Sequence, residues 1–147
     1  MNYLDKVFHN QIFLAGFIAW LIAQLLKIVT HYIQHRELDL TRIVGSGGMP
    51  SSHSSLVMGI STGIGIKYGW GSDIYVLALV FSVIVMYDAS GVRRSVGKQA
   101  IILNRIIKNL YQHKKIQEAK LKEFVGHTPK EVFAGALLGI ITAHLLL

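Results

Sequence analysis

Residues 11–34 read QIFLAGFIAWLIAQLLKIVTHYIQ, and this stretch decides the class of the fold. A helix of about 20 consecutive apolar residues crosses the hydrocarbon core of a bilayer, and this run has that length. Three further apolar runs follow, at 52–68, 74–87 and 129–147. The second is short and glycine-rich and the third is near the lower length limit, so both cross only if tilted or in a thinned bilayer. Between them Tyr68-Gly69-Trp70-Gly71-Ser72-Asp73 reads as a tight turn, with aromatic residues suited to a membrane interface. Composition agrees: the 147 residues are 52% hydrophobic and only 16% charged. The expectation is a single all-α domain over 1–147, an integral membrane bundle of about four transmembrane helices. The chain has no cysteine, which excludes disulfides and thiolate metal sites. The start, Met1-Asn2-Tyr3-Leu4-Asp5, lacks a basic region and a small-residue cleavage site, so the first run is expected to be a retained anchor.

The region from Ser90 to Gly126 differs from the apolar runs. Within 97–112, Ile101, Ile102, Ile106, Ile107 and Leu110 alternate at helical spacing with Lys98, Arg105 and Lys108. That pattern predicts an amphipathic helix on the membrane surface. Packing on a soluble partner is the alternative. The formal net charge of +7 raises nucleic acid as a partner, but in so apolar a chain cytoplasmic loops beside anionic lipid explain it better. If all four runs cross, loops 35–51 and 88–128 share one side, with Arg36, Arg42, Arg93, Arg94, Lys98, Arg105 and the lysines up to Lys122. The other side has only Lys6 and Lys67. The positive-inside rule then turns the long loops to the cytoplasm and both termini away from it.

That topology gathers three polar clusters at one membrane face. Gly45-Ser46-Gly47-Gly48-Met49-Pro50-Ser51-Ser52-His53 leads straight into the second run. Proline and serines suit a capped helix start, with the histidine incidental. The glycines also let backbone fold around an anion at that helix start, where a histidine can move a proton. Gly126-His127-Thr128-Pro129-Lys130-Glu131 opens the fourth run. Thr128, Pro129 and Glu131 suit a helix cap, which leaves His127 unexplained. A carboxylate four residues on can hold one imidazole nitrogen and leave the other as nucleophile or base. Metal binding by His127, Glu131 and His53 ranks lower, because the basic surroundings repel a cation. Tyr87-Asp88-Ala89-Ser90-Gly91-Val92-Arg93-Arg94 supplies paired arginines, which are either phosphate forks or ordinary flanking charge. Lys27 lies within the first run on a polar stripe with Gln24, His31 and Gln34. Ionisable residues in a span usually face the bundle interior; snorkelling to the interface is the alternative.

Together these three blocks resemble the divergent PAP2 family, relatives of the type 2 phosphatidic acid phosphatases and vanadium-dependent haloperoxidases. The resemblance covers nearly the whole chain and implies a metal-independent phosphatase with no cofactor. In the wider superfamily a Pro-Ser-Gly-His motif supplies the acid that protonates the leaving group. Pro50-Ser51-Ser52-His53 is similar to it, with Ser52 in the glycine's place. A later motif has Ser-Arg, then a nucleophilic histidine that forms a phosphohistidine, then an aspartate four residues on. His127 and Glu131 match that pair, with glutamate for aspartate. Leu121 stands where that motif's arginine is expected, which implies a split motif in which Arg93 or Arg94 fills the role and 95–125 is inserted. The first superfamily motif has a lysine seven residues before Arg-Pro; Lys27 stands for the lysine, and Gln34 replaces the arginine.

The resemblance thus implies catalysis by His127, His53 and Glu131, and phosphate binding by Lys27, Gly48, Ser51, Ser52, Arg93, Arg94 and Lys98. The implied substrate is a lipid phosphate or diphosphate, met at the cytoplasmic face of a bacterial plasma membrane, with homodimerisation left open and no nucleic acid. The alternative is a non-catalytic membrane protein that binds anionic headgroups or a partner protein. A small transporter subunit is suggested only by the stripe on the first run.

Overall fold

The computed structural model describes residues 2–37, 48–111 and 126–147. It is all helical, with no strand among the described residues. The helices are α1 (Tyr3–Phe8), α2 (Gln11–His35), α3 (Ser52–Tyr68), α4 (Asp73–Ser90), α5 (Val92–Tyr111) and α6 (Pro129–Leu146). The four apolar runs become α2, α3, α4 and α6, and the amphipathic run becomes α5. α1 was not anticipated. It is a single capped turn or so, in which the Asn2 side chain accepts from the Tyr3 N–H and the Asp5 carboxylate accepts from the Asn2 N–H.

Local chemistry sets the helix starts. An exposed backbone N–H at a helix start needs an acceptor, and a short polar side chain supplies it. Asn10 does this for α2, its Oδ1 accepting from the Ile12 N–H at 2.9 Å. Ser51 and Ser72 play the same part for α3 and α4, accepting from the N–H groups of Ser54 and Tyr75. Thr128 caps α6, with Pro129 in its first turn and Glu131 closing a reciprocal capping box.

α3 is the centre of the bundle and packs against α2, α4 and α6. Its buried residues are small: Ser52, Ser54, Ser55, Gly59, Ser61, Thr62, Gly63 and Gly65. In a membrane, helices gain little from hiding apolar side chains from one another, and small residues let backbones come close instead. The approach is close at Gly139 of α6. A Cβ there would lie 2.7 Å from the Gly59 nitrogen and would also collide with the Ser55 carbonyl. On the other flank, a Cβ on Gly59 would sit 3.0 Å from the Gly16 Cα of α2. The Ser82 hydroxyl of α4 satisfies itself within its own helix at Ala78 O (2.8 Å) and lies 3.1 Å from Val57 O of α3.

Among the described residues, three stretches are long and apolar enough to cross a membrane: Gln11–Ile33 in α2, Asp73–Lys108 running from α4 into α5, and Pro129–Leu146 in α6. α3, at 17 residues, is not among them. It is slightly short for a full crossing. It lies among the other three helices, so it meets protein more than lipid, and it trades apolar bulk for close packing.

The ends of the helices meet in two groups. Ile12 at the start of α2 and Leu147 just past α6 both crowd Gly63 near the end of α3. At the opposite end, the Thr30 hydroxyl of α2 donates to the Met49 carbonyl at 2.6 Å. There, too, the Ser51 N–H donates to Glu131 O at 2.9 Å, and the His127 N–H donates to Ala89 O at 3.0 Å. The end of α2, the start of α3, the end of α4 and the start of α6 therefore converge on one place.

Candidate functional site

This convergence brings the separated motifs together. α6 begins with a turn in which Glu131 has two tasks. Its Oε2 accepts from the Thr128 N–H at 3.2 Å, which completes the helix cap, and from His127 Nδ1 at 2.9 Å. A carboxylate only accepts, so the proton sits on Nδ1 and the Nε2 lone pair points away from Glu131. His127 is only 3% exposed, and its Nε2 has no hydrogen-bond partner among the described residues. A buried polar atom without a partner is costly, which marks this nitrogen as an atom held ready for something. Burial pushes the His127 pKa below its ordinary value. The Glu131 hydrogen bond and the nearby Gly48 backbone oppose that shift, and the Lys27 charge adds to it. His127 is accordingly a neutral imidazole near pH 7.

Lys27 reaches the same place from α2. It is 3% exposed, and its Nζ donates to the Ser52 hydroxyl at 3.1 Å. The inward reading of the polar stripe therefore holds for Lys27, and Gln24 is buried with it. His31 lies at the rim, its Nδ1 3.3 Å from Glu37 O. The Gln34 side chain lies outside the described residues.

The glycine turn forms another wall. Gly48 has φ +90°, a left-handed backbone that favours glycine, and it stands against the aliphatic stem of Lys27. The Met49–Pro50 peptide is cis. Ser51 and Ser52 are fully or almost fully buried, and Ser54 Oγ donates to Ser51 Oγ at 3.0 Å. His53, in the first turn of α3, is exposed. Its ring centroid is 6.2 Å from that of His127, the rings inclined at 65°. Two histidines thus face each other across a short gap. One is buried and fixed by a carboxylate, and the other is open to the surface.

The remaining expected residues lie on α5. Arg93 and Arg94 occupy its first turn, and their side chains lie outside the described residues. The Ala89–His127 backbone hydrogen bond still brings the end of α4, four residues before Arg93, against the histidine turn. Lys98 is exposed on α5, a helix whose packing in the bundle is against α4. It is not part of the buried cluster. Leu121 lies outside the described residues. Among the described residues no group of three or more His, Cys, Asp or Glu is placed to hold a metal.

Thr30 and Ala89 were not singled out by sequence. Thr30 tethers the glycine turn to α2, and the Ala89 carbonyl fixes the backbone of His127. Thr30 lies three residues beyond Lys27, which is a helical neighbour, and that spacing was the one available signal. A backbone carbonyl such as that of Ala89 leaves no trace in a sequence.

Residues 8–142 match the family model described as the divergent PAP2 family, a span that includes all three motif blocks. The chain belongs to the divergent PAP2 family. It is also 37% identical over 139 residues to the uncharacterized membrane protein YuiD of Bacillus subtilis (strain 168), a match covering 87% of this chain and 88% of that one. No solved structure matches it. For this divergent PAP2 protein, the converging helix ends give the family's motif blocks a common location.

Proposed function

We propose that this protein is a metal-independent membrane phosphatase that hydrolyses a lipid phosphate or diphosphate through a phosphohistidine, at the cytoplasmic face of a bacterial plasma membrane. One observation carries the reading: His127 is held by Glu131 through Nδ1, while its Nε2 is buried and has no hydrogen-bond partner among the described residues. A nitrogen prepared in that way is a nucleophile awaiting phosphorus.

Each neighbour then has a task. The Lys27 ammonium, the Ser52 hydroxyl and the N-terminal ends of α3 and α6 offer positive charge or donors to phosphate oxygens. Arg93 and Arg94, at the start of α5, add guanidinium forks from the side of α4. Stabilising the oxygens of the transferring group is the main demand of phosphoryl transfer. His127 Nε2 forms a bond to phosphorus as the bond from phosphorus to the leaving oxygen breaks. His53, protonated, gives its proton to that oxygen, and the lipid departs. Water then loses a proton to His53 and attacks phosphorus, the N–P bond breaks, and inorganic phosphate leaves with His127 neutral again. The excess of basic residues on loops 35–51 and 88–128 supports the cytoplasmic orientation.

The test is phosphate release from a panel of lipid phosphates and diphosphates by the purified full chain, with and without vanadate. We expect vanadate-sensitive turnover, an acid-labile phosphoprotein on rapid quenching, and a loss of at least 100-fold in His127→Ala. Full activity in that variant would remove His127 as nucleophile. No turnover on the whole panel, with headgroup binding lost equally in His127→Ala and Arg93→Ala, would replace the enzyme with a non-catalytic headgroup-binding protein.

A further inference from the structure

Beyond its first turn, α5 presents faces that the phosphatase reading does not use. Its 20 residues contain Arg93, Arg94, Lys98, Arg105 and Lys108 and no aspartate or glutamate. At about 100° per residue, Val92, Val96, Leu103 and Ile106 fall within an arc of about 80°. By the same rotation Lys98, Arg105 and Lys108 fall within an arc of about 80° on the opposite side. All four apolar side chains are exposed, and so are the three cations. α5 packs against α4, and no packing on α2, α3 or α6 accompanies it. The chain enters it from the end of the α4 span through Gly91, whose φ and ψ of −102° and −80° leave helical geometry. That junction is at the same end of the bundle as His127, whose N–H is bound to Ala89 O.

We propose that α5 is an interfacial helix that lies on an anionic lipid leaflet, with Val92, Val96, Leu103 and Ile106 in the acyl boundary and the cations among the headgroups. The charge pattern selects this occupant. A helix that meets anionic lipid carries Lys and Arg on its polar face beside an apolar stripe, and α5 has no acidic residue to offset its cations. Continuity with a membrane span supplies the position, because a helix leaving α4 emerges at the headgroup layer. The consequence is that the mouth of the His53–His127 gap is held in the plane of the headgroups, so a lipid ligand reaches it laterally. The proposal stands whether or not the site proves catalytic.

The native chain has no cysteine, so single cysteines can be spin-labelled in the full protein. Val96→Cys and Leu103→Cys sample the apolar stripe, and Arg105→Cys samples the opposite side. In nanodiscs containing 30% phosphatidylglycerol, labels at 96 and 103 should collide more with oxygen than with a water-soluble nickel chelate, and the label at 105 should do the reverse. The oxygen-to-nickel ratio at 103 should fall at least twofold when Lys98, Arg105 and Lys108 are all changed to Gln, or when the discs are pure phosphatidylcholine. Equal ratios on both sides of the helix overturn the proposal. So does shielding of 96 and 103 from both reagents in either lipid, since another segment or a second copy would then cover the stripe.

Discussion

Glu131→Gln separates the two tasks of one side chain, capping α6 and fixing His127. A glutamine in the third helical position still completes a capping box, so the helix start loses little. The His127 contact changes in kind: an ionised acceptor 2.9 Å from Nδ1 becomes a neutral one. Hydrogen bonds to charged groups contribute about 1.5–3 kcal/mol against about 0.5–1.5 for neutral ones. The difference is roughly 1–2 kcal/mol. The direction follows from the balance at this site. Burial already lowers the His127 pKa, the Glu131 hydrogen bond opposes it, and the Lys27 charge works with burial. Removing the opposing carboxylate lowers the value further. The assay is a titration of labelled histidine by NMR in nanodiscs, assigned by comparison with His127→Ala. Unfolding of the same samples should show a loss within about 1 kcal/mol, because the cap survives. An unchanged or raised His127 pKa would refute the claim that Glu131 holds this imidazole. A large loss of stability would show that capping, not positioning, is the residue's main task.

Three more outcomes follow from the same geometry. In the wild type, the native His127 pKa lies below its unfolded value of 6.5. The unfolded chain therefore takes up a proton first as pH falls, so stability should decline with falling pH between 6.5 and the native value, and this decline should vanish in His127→Ala. Gly139→Leu should destabilise the bundle by several kcal/mol, since overpacking alone costs about 1–3 and here backbone must separate from backbone at Ser55 and Gly59. Its unfolding in denaturing detergent should shift strongly, while Leu137→Ala on the exposed side of the same helix should not. Gly71→Cys and Lys130→Cys should label from opposite sides of sealed vesicles, with position 130 on the cytoplasmic side; labelling from one side would break the four-crossing topology.

The helices were legible because their signals are local. The capping residues Ser51 and Thr128 and the length of the apolar runs act over a few residues of chain, and those runs became α2, α3, α4 and α6 with ends moved by three residues at most. The site was legible only in part. His127 and Glu131 lie one helical turn apart, so their contact follows from spacing, and the structure adds that the carboxylate also caps the helix. Lys27 was ambiguous, because a lysine on a span can snorkel or turn inward. The outcome depended on whether a partner waited inside, and Ser52 of α3 is that partner. α1 escaped notice since six residues are too few to show a period.

By itself, the sequence determined that the chain is a helical membrane protein, where its helices start, and which side chains could do phosphate chemistry. Those properties depend on apolar length, on caps and on charge, all carried by neighbouring residues. Only the tertiary structure decided that α3 is the centre of the bundle, that Lys27 is buried against Ser52, and that the Nε2 of His127 has no partner among the described residues. Those facts depend on backbones meeting at Gly16, Gly59 and Gly139 and on carbonyls such as those of Ala89 and Met49. A carbonyl is present at every residue, so only the fold selects which ones matter.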